Sequence, residues 1–240
     1  MYTPRYGHRL RIGLMIPCRN TVLEPDAAAL LPEGVSMHVT RMPTLGATRA
    51  DLVNQFERLE ESAQLLAAAG VGLVGFHCTA AATIDPSIGT DVATHLGKRC
   101  GLPAVATSQA LLAALAAFAA RRIVLVTPYV QSVNDHEVEF FAGHGVKVIR
   151  EIGLGEKDAR GMESIEPEEW IRQALGARHA QADAYVLSCA NIRVAAIIDE
   201  LEKRLEAPVI TSNQAMLWHC LRSARIDDAV PGYGALLEKH

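Results

Sequence analysis

The feature that most constrains this chain is a pattern written twice. VGLVGFHCTAAA, from Val71 to Ala82, returns as ADAYVLSCANIRV, from Ala182 to Val194, and places Cys78 and Cys189 111 residues apart. At the same 111-residue offset RIGLMIP aligns with RIVLVTP, pairing Ile12 with Ile123 and Pro17 with Pro128. Further on, the stretch from Leu102 to Leu111 matches Ala207 to Met216, at an offset of 104 taken between Thr107 and Thr211. These landmarks recur in one order, so the chain is an internal duplication and each half supplies one cysteine.

Each copy is an apolar run that stops at a small polar residue or a histidine, then a cysteine, then a polar stretch opening a helix-like segment. Such a run, flanked by helical periodicity, reads as a strand of a parallel sheet buried on both faces. The cysteines then sit at strand carboxyl ends, where open α/β sheets carry their chemistry. Along the rest of the chain short apolar strands alternate with helical segments, which makes βαβ units. The expected fold is α/β, with two pseudo-twofold-related lobes of roughly 110 residues sharing one cleft. Each lobe is a mostly parallel four-stranded sheet flanked by helices. The expected division is residues 1–106 plus 210–240 for the first lobe and 107–209 for the second. The spacing predicts helices over Glu24–Leu31, Arg49–Ala69, Ile88–Arg99, Ser108–Ala120, Gln131–Ala142, Pro167–His179, Val194–Leu205 and from Gln214. Asn20 or Thr21 is expected to cap the first of these, and loops are expected at Met42–Gly46 and Gly153–Ile165.

A hydrophobic content of 50% is ample for buried cores. The formal net charge is -4 with Lys and Arg scattered, which gives no footprint for nucleic acid or an anionic membrane. Five cysteines do not form a secreted disulfide framework, and the longest apolar run, Ala110 to Ala120, is too short to span a membrane. A cytoplasmic protein with reduced thiols is expected. His136, His144, His179 and His219 lack ligand spacing with a cysteine or a carboxylate pair, so no metal site is expected. No glycine-rich phosphate loop stands out either.

A thiolate is a strong nucleophile and a usable base, and a helix N-terminus lowers a cysteine pKa. Cys78 with Thr79 beside it, and Cys189 with Ser188 beside it, are both expected at such strand-to-helix junctions. A lone cysteine after an apolar strand is more often a small buried hydrophobe; matched cysteines in duplicated halves reverse that balance. Facing thiols suit a reaction that needs a proton or a nucleophile on each face of one small carbon centre. Cys100 and Cys220 read as packing residues, and His77 as a side chain that packs or bonds locally.

The motifs around these cysteines resemble one family. PCRNTVLEPD, Pro17 to Asp26, resembles the Pro-x-x-Asn-Thr-x-x-Glu signature of maleate cis-trans isomerases. His77-Cys78-Thr79, the run from Ser188 to Arg193, and Thr127-Pro128-Tyr129 are similar to further motifs of that family, within the aspartate/glutamate racemase superfamily. The resemblance implies Cys78 as nucleophile and Cys189 as acid/base partner, with Asn20 and Tyr129 binding a substrate carboxylate and no cofactor. Thr79, Ser188 and Asn191 are expected to complete the substrate site, with a small carboxylic acid and further copies of the chain as partners. The implied activity is isomerisation of a small maleate-like unsaturated dicarboxylic acid. The alternatives are a two-base racemase or epimerase, an arylmalonate-type decarboxylase, and a non-catalytic small-acid binder. The sequence departs at Lys157-Asp158-Ala159-Arg160, where the isomerases carry an Asp-Asn pair, and it adds Cys18 and Arg19 in the first loop.

Overall fold

A computed structural model describes residues 6–43 and 56–240. Eight strands and the helices between them form two parallel sheets, β2-β1-β3-β4 and β6-β5-β7-β8. The first comprises β1 (Leu10–Pro17), β2 (Val35–Met42), β3 (Leu73–Phe76) and β4 (Ala104–Ala106); the second comprises β5 (Arg122–Tyr129), β6 (Lys147–Glu156), β7 (Ala184–Leu187) and β8 (Val209–Thr211). The helices are α1 (Leu23–Leu30), α2 (Phe56–Ala68), α3 (Thr79–Ala82), α4 (Ile88–Cys100), α5 (Thr107–Ala117), α6 (Gln131–Gly143), α7 (Ala159–Ser164), α8 (Pro167–Gly176), α9 (Ile198–Leu205), α10 (Ser212–Ser223) and α11 (Ala235–Lys239).

The duplication is written into the strand register. Ile12 pairs with Met37 and Leu73, while Ile123 pairs with Val148 and Ala184, each partner 111 residues later. At the far edge Phe76 pairs with Ala106 and Leu187 with Thr211, so the offset there is 105 rather than the expected 104. Ala106, not Thr107, is therefore the counterpart of Thr211.

Both faces of each sheet are covered, which explains the unbroken apolar runs. On β1, Leu14 and Ile16 face a central core that they share with Leu111 and Leu115 of α5, Leu125 of β5, and Met216 and Leu221 of α10. Met15 faces the other way, toward Phe76, Leu59, Ile88 and Leu96. The second sheet mirrors this: Leu125 is central, whereas Val124 and Val126 pack with Trp170, Ile198 and Leu201. Helices α5 and α10 thus form the layer between the two sheets, against each other.

Several boundaries differ from expectation. Helix α5 begins at Thr107 behind an Ala106 N-cap rather than at a Ser108 cap, and it ends at Ala117. Strand β5 runs on through Pro128 and Tyr129, with register shifts against β6 at Ile123/Val124 and Thr127/Tyr129 that let a proline remain in the ladder. The expected polar loop after residue 153 holds the end of β6 and then α7, whose N-cap Asp158 accepts from the Arg160 and Gly161 amides. The segment from Val194 starts as a 3-10 turn, Ala195–Ile197, before α9. The expected loop at residues 44–46 and the first part of the expected Arg49–Ala69 helix lie outside the described residues. No helix among the described residues is long and apolar enough to cross a membrane.

The two helices that follow the edge strands β4 and β8 show how a cap matters. Thr211 Oγ1 accepts from the Gln214 amide at 3.2 Å while the Gln214 side chain accepts from the Thr211 amide at 3.3 Å. In the first half only the second bond exists, Ala106 N to Gln109 Oε1 at 3.0 Å, because alanine has no acceptor. Thr211→Ala should therefore cost ~1 kcal/mol, the usual worth of a hydroxyl cap, read as a lower urea midpoint with an unchanged slope.

Candidate active site

The carboxyl ends of β1, β3, β5 and β7 open into one cavity of about 340 Å³. Its polar lining includes Asn20, Cys78, Thr79, Tyr129, Cys189 and Asn191, and its apolar lining includes Ala80, Ile84, Val133, Ala159 and Met162. The rim carries Arg19, His136, Lys157 and Asp158, so the two permanent cations outnumber the one anion. The structure brings together six of the seven residues singled out as site candidates. Ser188 is buried but does not line the cavity.

Loop chemistry places each of these. Asn20 Oδ1 accepts from the Val22 and Leu23 amides at 3.1 and 3.0 Å, capping α1, while its Nδ2 donates to Ala190 O at 2.7 Å. One Nδ2 hydrogen is left for a ligand. Arg41, at the end of β2, holds Asn20 O at 2.7 Å. Asn191 is committed at both ends of its amide: Oδ1 accepts from Thr21 N at 3.0 Å and Nδ2 donates to Ala159 O at 2.8 Å. Its contribution to a ligand is thus limited to the second Nδ2 hydrogen and to its own backbone. Thr79 Oγ1 is buried without a hydrogen-bond partner, a donor free to turn toward the cavity.

Tyr129 is held from below. Its amide donates to Thr127 Oγ1 at 3.1 Å, and Thr127 in turn bonds Asn134 Oδ1 on α6. Asn134 fits only because residue 153 is glycine: a Cβ there would lie 2.5 Å from Asn134 Nδ2 and 2.7 Å from Tyr129 O.

The two thiols are not alike. Cys78 is half-buried and the Ala81 amide lies against its sulfur, yet burial pushes its pKa up to about 11. Cys189 is buried; its sulfur accepts from Asn191 N at 3.3 Å and from the Tyr129 hydroxyl, and burial still pushes it up to about 12. A charge on Cys78 raises it further. The expectation that a helix N-terminus depresses both is thus corrected. Helix α3 is a single turn, and no α-helix follows Cys189 until α9, so desolvation prevails. Of the pair, Cys78 is the more exposed.

His77 has no direct role at the sulfur. It is fully buried, with Nδ1 at 3.0 Å from Thr107 Oγ1 and Nε2 at 2.8 Å from Asn213 Oδ1, and burial lowers it to about 4, so it is neutral at pH 7. Cys220 is buried within α10, and Cys100 closes α4, as packing positions do. Cys18 is exposed, and Arg19 lies on the cavity rim. Among the described residues no cluster of three or more His, Cys, Asp or Glu could hold a metal. Sequence reasoning missed His136, Lys157 and Met162 as lining residues; they come from α6, from the turn after β6 and from α7, the last two within a stretch that reads as plain polar loop.

Residues 12–237 match the arylmalonate decarboxylase family. The chain is 24% identical to a maleate isomerase of Geobacillus stearothermophilus and 27% identical to an arylmalonate decarboxylase of Bordetella bronchiseptica, in each case over 95% of this chain and 96% of the relative. Among solved structures, a mutant of the Nocardia farcinica maleate cis-trans isomerase with a covalently bound succinylcysteine intermediate superposes with a TM-score of 0.89, at 23% identity, over 96% of this chain and 99% of that one.

Two outcomes follow from this geometry. Gly153→Ala should displace Asn134 and the Tyr129 turn, costing roughly 1–3 kcal/mol as overpacking does, measured as a lower thermal midpoint. Alkylation by iodoacetamide at pH 8 should label exposed Cys18 before Cys78, and Cys78 before Cys189, read by peptide mass spectrometry.

Proposed function

This chain belongs to the arylmalonate decarboxylase family, and from that premise we propose that it is a cofactor-independent cis-trans isomerase of a small, maleate-like unsaturated dicarboxylic acid. The observation that carries this reading is a pair of thiols, one from each half of the chain, lining one cavity with uncharged hydrogen-bond donors around them. In the proposed reaction Cys78 first loses its proton to solvent; its thiolate adds to one alkene carbon, and the displaced electron pair moves onto the neighbouring carbon and its carboxylate as an enediolate. Cys189 gives its proton to that carbon. The former double bond, now single, rotates by half a turn. Cys189 takes the proton back, the double bond re-forms in the trans geometry, and the Cys78 thiolate leaves. Nothing is oxidised, and the proton returns to its donor.

Each neighbour has a part in this reading. Tyr129 and the Asn191 amide stabilise the Cys189 thiolate that exists between the two proton transfers. Thr79 and the spare Asn20 hydrogen are suited to a carboxylate that gains charge as the enediolate forms, where one such donor is worth ~3 kcal/mol. Arg19 and Lys157 on the rim attract a dianion. The relatives support the same reading: a maleate isomerase matches nearly the whole chain, and the Nocardia farcinica enzyme carries a succinylcysteine, the adduct this mechanism forms. A decarboxylase that only protonates an enediolate has no use for a second thiol at position 78. A two-base racemase would use both thiols, and it is told apart by exchange of an α-proton with solvent.

The test is NMR of maleate and substituted maleates with the protein in deuterated water, beside mass spectrometry of two variants. Cys78→Ser should abolish turnover, and Cys189→Ser should accumulate substrate mass on Cys78. Solvent deuterium at an α-carbon of a chiral acid, with no adduct on either variant, would replace the isomerase with the racemase.

A further inference from the structure

A fully buried carboxyl group stands behind Cys189 and has no part in the mechanism above. Glu137, on α6, has no exposed surface, and neither of its oxygens makes a hydrogen bond of good geometry. Its carboxyl lies next to the Ser188 hydroxyl, which is likewise buried and without a well-formed bond. The charge it would carry is felt by both Cys189 and the Tyr129 hydroxyl.

The duplication supplies the comparison. Asp26 stands 111 residues before Glu137, on α1, and His77 stands 111 before Ser188. In the first half the carboxyl is wired: Asn213 Nδ2 donates to Asp26 Oδ2 at 2.7 Å, and Asn213 Oδ1 faces His77 Nε2 at 2.8 Å. In the second half an imidazole is replaced by a hydroxymethyl group, and the acid is one methylene longer. Glutamate thus reaches toward the space that His77 fills in its own half, with no amide to receive it. An unpaired carboxylate in such a place is costly, and the group keeps its proton instead; burial pushes it up to about 8.

We propose that Glu137 is a positioning residue for the Cys189–Tyr129 pair: as an uncharged acid it leaves the buried end of the cavity able to hold the one negative charge that Cys189 acquires on giving up its proton. Once ionised, it withdraws that capacity by repulsion. The proposal rests on Cys189 as the acid/base thiol. The groups that face Glu137 are Cys189, Tyr129 and Ser188, with Cys78 across the cavity. On its own helix Asp135 and Glu139 are exposed and His136 is at the rim; β6, packed against α6, brings Lys147, Arg150, Glu151 and Glu156, with Glu151 bonded to exposed Gln131. No basic side chain among them offsets the Glu137 charge.

The experiment follows the alkylation rate of Cys189 against pH in the full chain and in Glu137→Gln, which keeps the shape of the protonated acid. The expected result is faster alkylation of Cys189 at pH 9 in the variant, about tenfold for each pKa unit by which the thiol falls. An unchanged or slower rate would overturn the proposal. Should Glu137→Gln not fold, carbon-13 NMR of glutamate-labelled wild-type protein reads the group directly. A glutamate carboxyl titrating near pH 8 is expected, and no glutamate titrating above about pH 6 would overturn the proposal. Neither measurement uses substrate, so a failed isomerase assay leaves this result standing, and a failed titration leaves the isomerase reading standing.

Discussion

The cavity depends on a short set of hydrogen bonds between loops 170 residues apart. Asn20 Nδ2 reaches Ala190 O, and the next residue returns the favour, Thr21 N to Asn191 Oδ1. Two loops that leave different sheets are thus stitched together at the floor of the cleft. The same two asparagines also cap α1 and hold the start of α7 through Ala159 O. Because the buried amides are satisfied on several sides at once, their removal leaves several orphaned partners, each costing about 1–3 kcal/mol. Cys189 lies between these anchored residues and Tyr129, so the sulfur's surroundings are fixed by contacts made for structural reasons.

Thiol acidity here is a contest that burial wins. A helix terminus is worth ~0.3–1 kcal/mol to a nearby charge. A rise to about 11 for Cys78 corresponds to roughly 3 kcal/mol. Motif and position foretell a reactive cysteine well and foretell its resting ionisation poorly, because desolvation is set by what the rest of the chain packs over the sulfur. What separates the two thiols is exposure, with Cys78 half-buried and Cys189 buried.

Much of the architecture was legible because duplication is a long-range signal that survives local ambiguity. The 111-residue offset foretold two similar four-stranded parallel sheets, and the equivalent pairings of Ile12 with Leu73 and Ile123 with Ala184 carry that offset. Cys78, Cys189, Asn20, Thr79, Tyr129 and Asn191 converge on one cavity because strand ends in parallel sheets converge. What stayed hidden was local or distant. Asp158 capping α7 looks like any polar loop residue until its backbone partners are known. Ser188 and Cys189 both follow the end of β7, and only Cys189 lines the cavity. The Asn213 bridge to His77 joins residues 136 apart, and no spacing rule reaches that far.

That bridge bears on how the molecule comes apart. Asn213 belongs to α10, which follows the last strand of the second sheet, yet its side chain serves Asp26 and His77 in the first. The residues that bury α5 and β1 likewise come from α10. Removing that helix would strand a buried imidazole and a carboxylate and uncover the central core, so neither sheet has a complete interior of its own. A chain built from two similar halves therefore melts as one cooperative unit, and a nick or truncation near its end is felt in the strands laid down first.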